Sequence, residues 1–173
     1  MGSRALVTGG SRGIGKAISI MLAKNKYDVI INYRGNKEAA DITKVEVEKH
    51  GVKCTLLQFD VGNFLEAKKC VEEELKNGPI DVLVLNAGIR HDALFPIMKQ
   101  EDWDSVIDVN LRSFFYVAKP ISKSMFDNKN GKIVVVSSTS GEIGVAGQVN
   151  YCASNTELSV LQKHFHLNLQ EEM

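Results

Sequence analysis

The chain has 173 residues, 44% hydrophobic and 24% charged, enough for one globular domain over 1–173 that buries roughly 70% of its unfolded surface. Its 21 basic and 21 acidic side chains cancel, so no long-range field favours nucleic acid or a membrane surface, and phosphate recognition has to be local. Cys54, Cys70 and Cys152 are odd in number and form no CxxC pair, which excludes a disulfide framework and a cysteine zinc site and suits a reducing, cytoplasmic setting.

In chain order, five β-rich runs alternate with helix-length segments: "RALVTGG" from 4, "YDVIINY" from 27, "CTLLQFDV" from 54, "IDVLVLNAG" from 80 and "KIVVVSSTS" from 132. They are continuous apolar runs rather than strict alternations, as strands buried on both faces of a parallel sheet require. The first helix is expected near Ile14, with Ile18, Met21 and Leu22 inward. The second spans about 37 to 49 and stops at Gly51, and the third follows Asn63 as N-cap. A longer helix is predicted over about 101 to 127, kinked at Pro120. The last begins near Tyr151, with Leu158, Leu161, Phe165 and Leu169 on one stripe. The alternation gives an α/β fold with right-handed crossovers. The longest apolar runs, such as "IVVV" at 133 to 136, are too short for a membrane span. The first residues lack a signal-peptide pattern, and Leu6 breaks the myristoylation motif.

"VTGGSRGIGKAI" at 7 to 18 lies where the first strand passes into the first helix. Gly9, Gly13 and Gly15 allow a tight turn and a close approach to a pyrophosphate, which the helix N-terminus would face. The second strand ends in "NYRGN" with no acid before Glu38. Arg34 and Arg12 are instead available for a ribose 2′-phosphate, so NADP(H) is favoured over NAD.

"TGGSRGIG", "NAG" at 86 to 88, "VNL" at 109 to 111, "SSTSG" at 137 to 141 and Tyr151 occur in the order found in the short-chain dehydrogenase/reductases. Within that family, "NAGIRHDALF", "EDWDSVIDVNL" and "GVAGQVNYCAS" most resemble the 3-oxoacyl-acyl-carrier-protein reductases. The resemblance implies a Rossmann-type doubly wound sheet and NADPH-dependent reduction of a 3-oxoacyl thioester, carried on acyl carrier protein, in fatty-acid or related synthesis. It assigns Gly9, Ser11, Arg12, Gly13, Ile14, Gly15, Tyr33, Arg34, Asp60, Val61, Asn86, Ala87 and Gly88 to the cofactor. Tyr151 becomes the acid, Ser138 the carbonyl donor, Asn110 the support of a water relay, and Gln148 a substrate contact beside Ser138 and Tyr151.

One position departs from the family pattern. A lysine follows the tyrosine by one turn in the family, and this chain has Asn155. Removing a cation within about 4 to 6 Å forfeits roughly 1 to 3 pK units of tyrosinate stabilisation, equivalent to about 10-fold to 1,000-fold in rate. Lys163 lies about 18 Å further along a helix and cannot replace it. His164 and His166, two residues apart, diverge on a helix and make no metal site.

The resemblance also implies a further crossover, two more strands and a substrate lid beyond this sequence, which leaves "KIVVVSS" as an apolar edge to be covered. A longer chain, a partner subunit or a rearranged dimer would each cover it. Helices at 101–127 and 151–172 are the expected surfaces of a homo-oligomer or hetero-oligomer. The alternative to an impaired reductase is a non-catalytic nucleotide-binding or assembly subunit that partners an intact one.

Overall fold

In the computed structural model, residues 2–170 are described, with side chains as far as Lys163. The side chains of His164, Phe165, His166 and Leu169, named above, lie outside the described residues.

The five apolar runs form strands β1 (Arg4–Val7), β2 (Asp28–Tyr33), β3 (Cys54–Gln58), β4 (Val82–Leu85) and β5 (Lys132–Val135). All neighbours are parallel, in the order β3-β2-β1-β4-β5. The central strand aligns Val7 with Ile31 on one side and with Val84 on the other. Strand order reverses at β1, so the connections leaving β1 and β4 part to opposite sides and open a crevice at the strands' C-terminal ends.

Each central strand contributes alternate residues to two apolar layers. On one face Leu6, Ile30 and Leu83 pack with Val71 of helix α3 (Phe64–Leu75) and with Val117 and Ile121 of helix α5 (Ser113–Asp127). On the other, Val7, Ile31 and Val84 pack with Ala23 of helix α1 (Gly13–Lys24) and Val47 of helix α2 (Lys37–Glu48). The remaining helices are α4 (Gln100–Ile107), the short α6 (Ser140–Ile143) and α7 (Val149–Gln170). Among the described residues, no helix is long and apolar enough to cross a membrane.

Two local expectations are corrected. Met21 is 58% exposed, and the inward stripe of α1 is Gly15, Ser19 and Ala23. The helix lies so close to the β1 turn that only small side chains fit directly beneath it, while Ile18 and Leu22 pack against the core as expected and Met21 turns outward. The predicted helix over 101–127 is divided by a π-helical turn, Asp108–Arg112, whereas Pro120 lies inside the continuous α5. Such turns insert one extra residue and re-aim a side chain; here the side chain is Asn110.

Cys54 lies in β3, only 3% exposed, and burial first, then the nearby Glu48 charge, push its thiol up to about 12. At pH 8 about one molecule in ten thousand would carry the reactive thiolate there. Iodoacetamide at that pH is expected to modify Cys70 and Cys152 first and Cys54 only on unfolding. Peptide mass spectrometry distinguishes the sites, and early labelling of Cys54 would contradict this packing.

Candidate functional site

The turn after β1 is held by buried polar side chains. Thr8 Oγ1 accepts from Asn86 N (2.9 Å) and Ala87 N (3.0 Å), while Asn86 Nδ2 donates to Thr8 O (3.0 Å), joining the ends of β1 and β4. Asn32, 2% exposed, accepts from Gly9 N through Oδ1 (3.2 Å) and donates from Nδ2 to Phe59 O (3.0 Å). Gly9 and Gly13 take φ values of +62° and +54°, which L side chains resist. A Cβ on Gly15 would stand 2.3 Å from Gly9 O, so this glycine allows α1 to close onto the turn.

The turn forms one wall of a groove of about 360 Å³, whose other walls include Asn32, Tyr33, Arg34, Asp60, Val61 and Asn86. Its fit to a phosphorylated nucleotide can be judged from α1. Helices α2 and α3 have their first amides capped by Asn36 and Asn63. α1 has no side-chain cap and no acidic residue in its first turn, and a Cβ on Gly13 would meet no heavy atom within 4 Å. Uncapped amides facing open space accept an anion. Arg12 and Arg34 add positive charge beside them, with Arg34 3.7 Å from Asp60. The residues therefore fit a dinucleotide phosphate.

Asn86 to Ile89 also line a second groove of about 330 Å³, which includes Ile14, Asn110, Ser137, Tyr151 and Asn155. The π turn delivers Asn110, 5% exposed, to the end of β4. Its Oδ1 accepts from Ile89 N (2.8 Å), and its Nδ2 donates to Ile89 O (3.0 Å) and Ser154 Oγ (3.3 Å). Ser154 Oγ donates to Tyr151 O (2.9 Å). On the other side, the fully buried Asn150 accepts from Tyr151 N (2.8 Å) and donates to His91 O (3.1 Å) and Asp102 O (3.2 Å). The Tyr151 backbone is thus fixed from two directions, with its side chain on the groove.

The short chain dehydrogenase model matches residues 3–172. The chain belongs to that family. It is 40% identical over 164 residues to the 3-oxoacyl-[acyl-carrier-protein] reductase FabG of Staphylococcus aureus strain Mu50, covering 94% of this chain and 67% of the relative. It is 43% identical over 151 residues to the 3-oxoacyl-[acyl-carrier-protein] reductase of Synechocystis, covering 87% of this chain and 61% of the relative. The crystal structure of acetoin dehydrogenase YohF from Salmonella typhimurium superposes with a TM-score of 0.94 at 27% identity, over 99% of this chain and 69% of that one. The chain spans about two thirds of the length of these relatives.

In this short-chain dehydrogenase every residue expected at the cofactor lines one groove or the other except Gly15, which packs behind the turn. Asn110, Tyr151 and Asn155 come together in the second groove. Ser138 lies outside its lining: the hydroxyl donates to Ser140 Oγ (3.1 Å) and accepts from Ser140 N (3.2 Å), starting α6. The serine on the groove is Ser137. Gln148 is also off the groove, 7% exposed, with Nε2 donating to Asp92 Oδ2 (3.0 Å). Asp92 in turn holds Arg90 Nε at 3.2 Å, and Arg90 is the cationic side chain of the second groove.

Asn155 is 4% exposed and turned back on the protein. Its Nδ2 donates to Tyr151 O (2.9 Å), and its Oδ1 accepts from Ser137 Oγ (3.2 Å). Sequence reasoning did not single out Asn32, Asn150, Ser154 or Arg90. Asn32 left a signal, one amide within the apolar strand "VIINY". Asn150 and Ser154 bond across long sequence separations, to His91, Asp102 and Asn110, and nothing local marks them, while Arg90 pairs with Asp92 two residues on.

Proposed function

We propose that the site is organised for NADPH-dependent reduction of a 3-oxoacyl thioester carried on acyl carrier protein, with turnover lowered by Asn155. The observation that carries the reading is the placement of Tyr151 and Asn110 on a groove that shares the 86–89 segment with the phosphate-binding groove. The 3-oxoacyl reductase names of the relatives support the substrate class. A bound NADPH would supply the hydride. The chain's own residues would then do the rest. Tyr151 gives its phenolic proton to the ketone oxygen, and Asn110 keeps the π turn and the 89 backbone in place beside it. Ser138, one residue beyond the groove lining, would donate to the carbonyl once the turn at Ser140 adjusts. Gln148, through Asp92 and Arg90, would set the groove's far wall.

The preference for NADP(H) rests on Arg12 and Arg34 at the first groove and on the absence of an acid at the end of β2. Asp60 balances Arg34 only across 3.7 Å, at a side chain 69% exposed, so the guanidinium can turn to a 2′-phosphate. Arg34→Ala is expected to weaken NADP+ binding about 10-fold, or about 1.4 kcal/mol, and to leave NAD+ binding nearly unchanged. Calorimetric titration of both nucleotides checks this; equal losses for the two would argue against a 2′-phosphate contact.

Association through the helices α4, α5 and α7 remains part of the reading. An apolar hollow of about 620 Å³ lies between α5 and α7, with Leu111, Ala118 and Leu161 in its lining and Phe115 54% exposed beside them. A homo-oligomer is expected, and sedimentation velocity tests it. The hydrogen bonds that close Asn155 favour one second reading, a nucleotide-binding assembly subunit without turnover. Following NADPH absorbance with an acetoacetyl thioester separates the two, since an assembly subunit consumes none.

A further inference from the structure

The two grooves differ in how much hydrogen-bonding capacity they leave for a ligand. In the first, the α1 amides lack a side-chain cap, and Arg12 and Arg34 stand beside them at the open face of Gly13. In the second, the three carboxamides and Arg90 Nε are engaged with the protein itself. Asn86 Nδ2 is on Thr8 O and Gly9 O, and the Asn110 carboxamide is on Ile89 and Ser154. Asn155 is on Tyr151 O and Ser137 Oγ, and Arg90 Nε is on Asp92, itself held by Gln148. A ligand that displaces such a bond exchanges one hydrogen bond for another and gains little net affinity. One that meets uncapped amides and exposed guanidinium groups gains charge-assisted bonds, opposed only by the 3.7 Å pairing of Arg34 with Asp60.

We infer that this chain takes its affinity for NADP(H) almost wholly from the adenosine 2′,5′-bisphosphate half, so that this fragment alone occupies the site about as tightly as the whole dinucleotide. The inference rests on the NADP(H) reading above and adds a ligand class to it, phosphorylated adenosines without nicotinamide. It also gives the slow turnover a second cause. A nicotinamide half held by few net bonds spends little time at the distance from the substrate that hydride transfer needs.

Isothermal titration of the unmodified chain with 2′,5′-ADP, NADP+ and nicotinamide mononucleotide tests this without reference to activity. The dissociation constants of 2′,5′-ADP and NADP+ are expected to agree within about 5-fold, with the mononucleotide at least about 100-fold weaker. Asn155→Lys is expected to tighten NADP+ about 10-fold and to leave 2′,5′-ADP within about 2-fold. NADP+ binding more than about 20-fold tighter than 2′,5′-ADP in the unmodified chain would overturn the inference while leaving the cofactor reading intact. Absence of binding by both ligands would overturn the two together. The central comparison uses no substitution, so a poorly folding variant does not affect it.

Discussion

Replacing Gly15 with alanine is expected to destabilise the protein by about 1–3 kcal/mol and to remove nucleotide binding. The added Cβ would stand 2.3 Å from Gly9 O, 2.5 Å from Asn86 Nδ2 and 3.0 Å from Gly10 Cα. Two of these are backbone atoms of the β1 turn, so relief requires α1 to move away from the sheet. That movement withdraws its N-terminal amides from the first groove, and if the Asn86 amide yields as well, its bonds to Thr8 and Gly9 are lost. Binding should therefore suffer more than stability. Gly35→Ala is the control, because a Cβ there meets nothing within 4 Å and the change should stay within about 0.5 kcal/mol. Urea unfolding and NADP+ titration on both variants check the pair. Retained binding in Gly15→Ala would mean that the helix does not have to sit where the structure places it.

Asn155→Lys is expected to raise NADPH consumption with an acetoacetyl thioester by about 10-fold to 1,000-fold. The position lies on the second groove, one helical turn from Tyr151, where an ammonium would favour negative charge on the phenol oxygen. The substitution also removes the hydrogen bond from Ser137 and the bond to Tyr151 O, a loss of about 1 kcal/mol each. A modest fall in stability alongside the rise in rate is therefore expected. Asn155→Ala loses the same bonds without adding charge and should show no gain, which separates the cation from simple loosening of α7. Adding Tyr151→Phe to the lysine variant should abolish the gain. A gain that survives loss of the phenol would assign the acid to another group.

How much of this was legible in the sequence depended on whether the information was local. Strands β1 to β5 and the cap Asn63 follow from neighbouring residues, since apolar runs, amide caps and terminal glycines act within a few positions. The groove glycines were legible for the same reason. The π turn was not, because "DVNLR" has an ordinary helical composition, and the extra residue is held by Asn110 bonding to Ile89, 21 residues away. The inner face of α1 was misread because apolar size suggested Met21, whereas the 2.3 Å approach at Gly15 selects small side chains. The missing lysine was visible at once, but not that the asparagine closes onto Ser137 across the gap between β5 and α7. Nor did the sequence show that Ser138 turns toward Ser140 and leaves Ser137 on the groove.

On the proposed reading, the groove beside Tyr151 is expected to support hydride transfer to a 3-oxoacyl thioester, slowly with Asn155 and faster with a lysine in its place. Transfer of deuterium from NADPH labelled at C4 tests it most directly, with mass spectrometry of the product resolving even a slow reaction. The expected result is a 3-hydroxyacyl thioester carrying the label at C3, formed faster by Asn155→Lys than by the unmodified chain and absent with Tyr151→Phe. Label missing from the product of both the unmodified chain and Asn155→Lys, with NADPH bound, would contradict the claim.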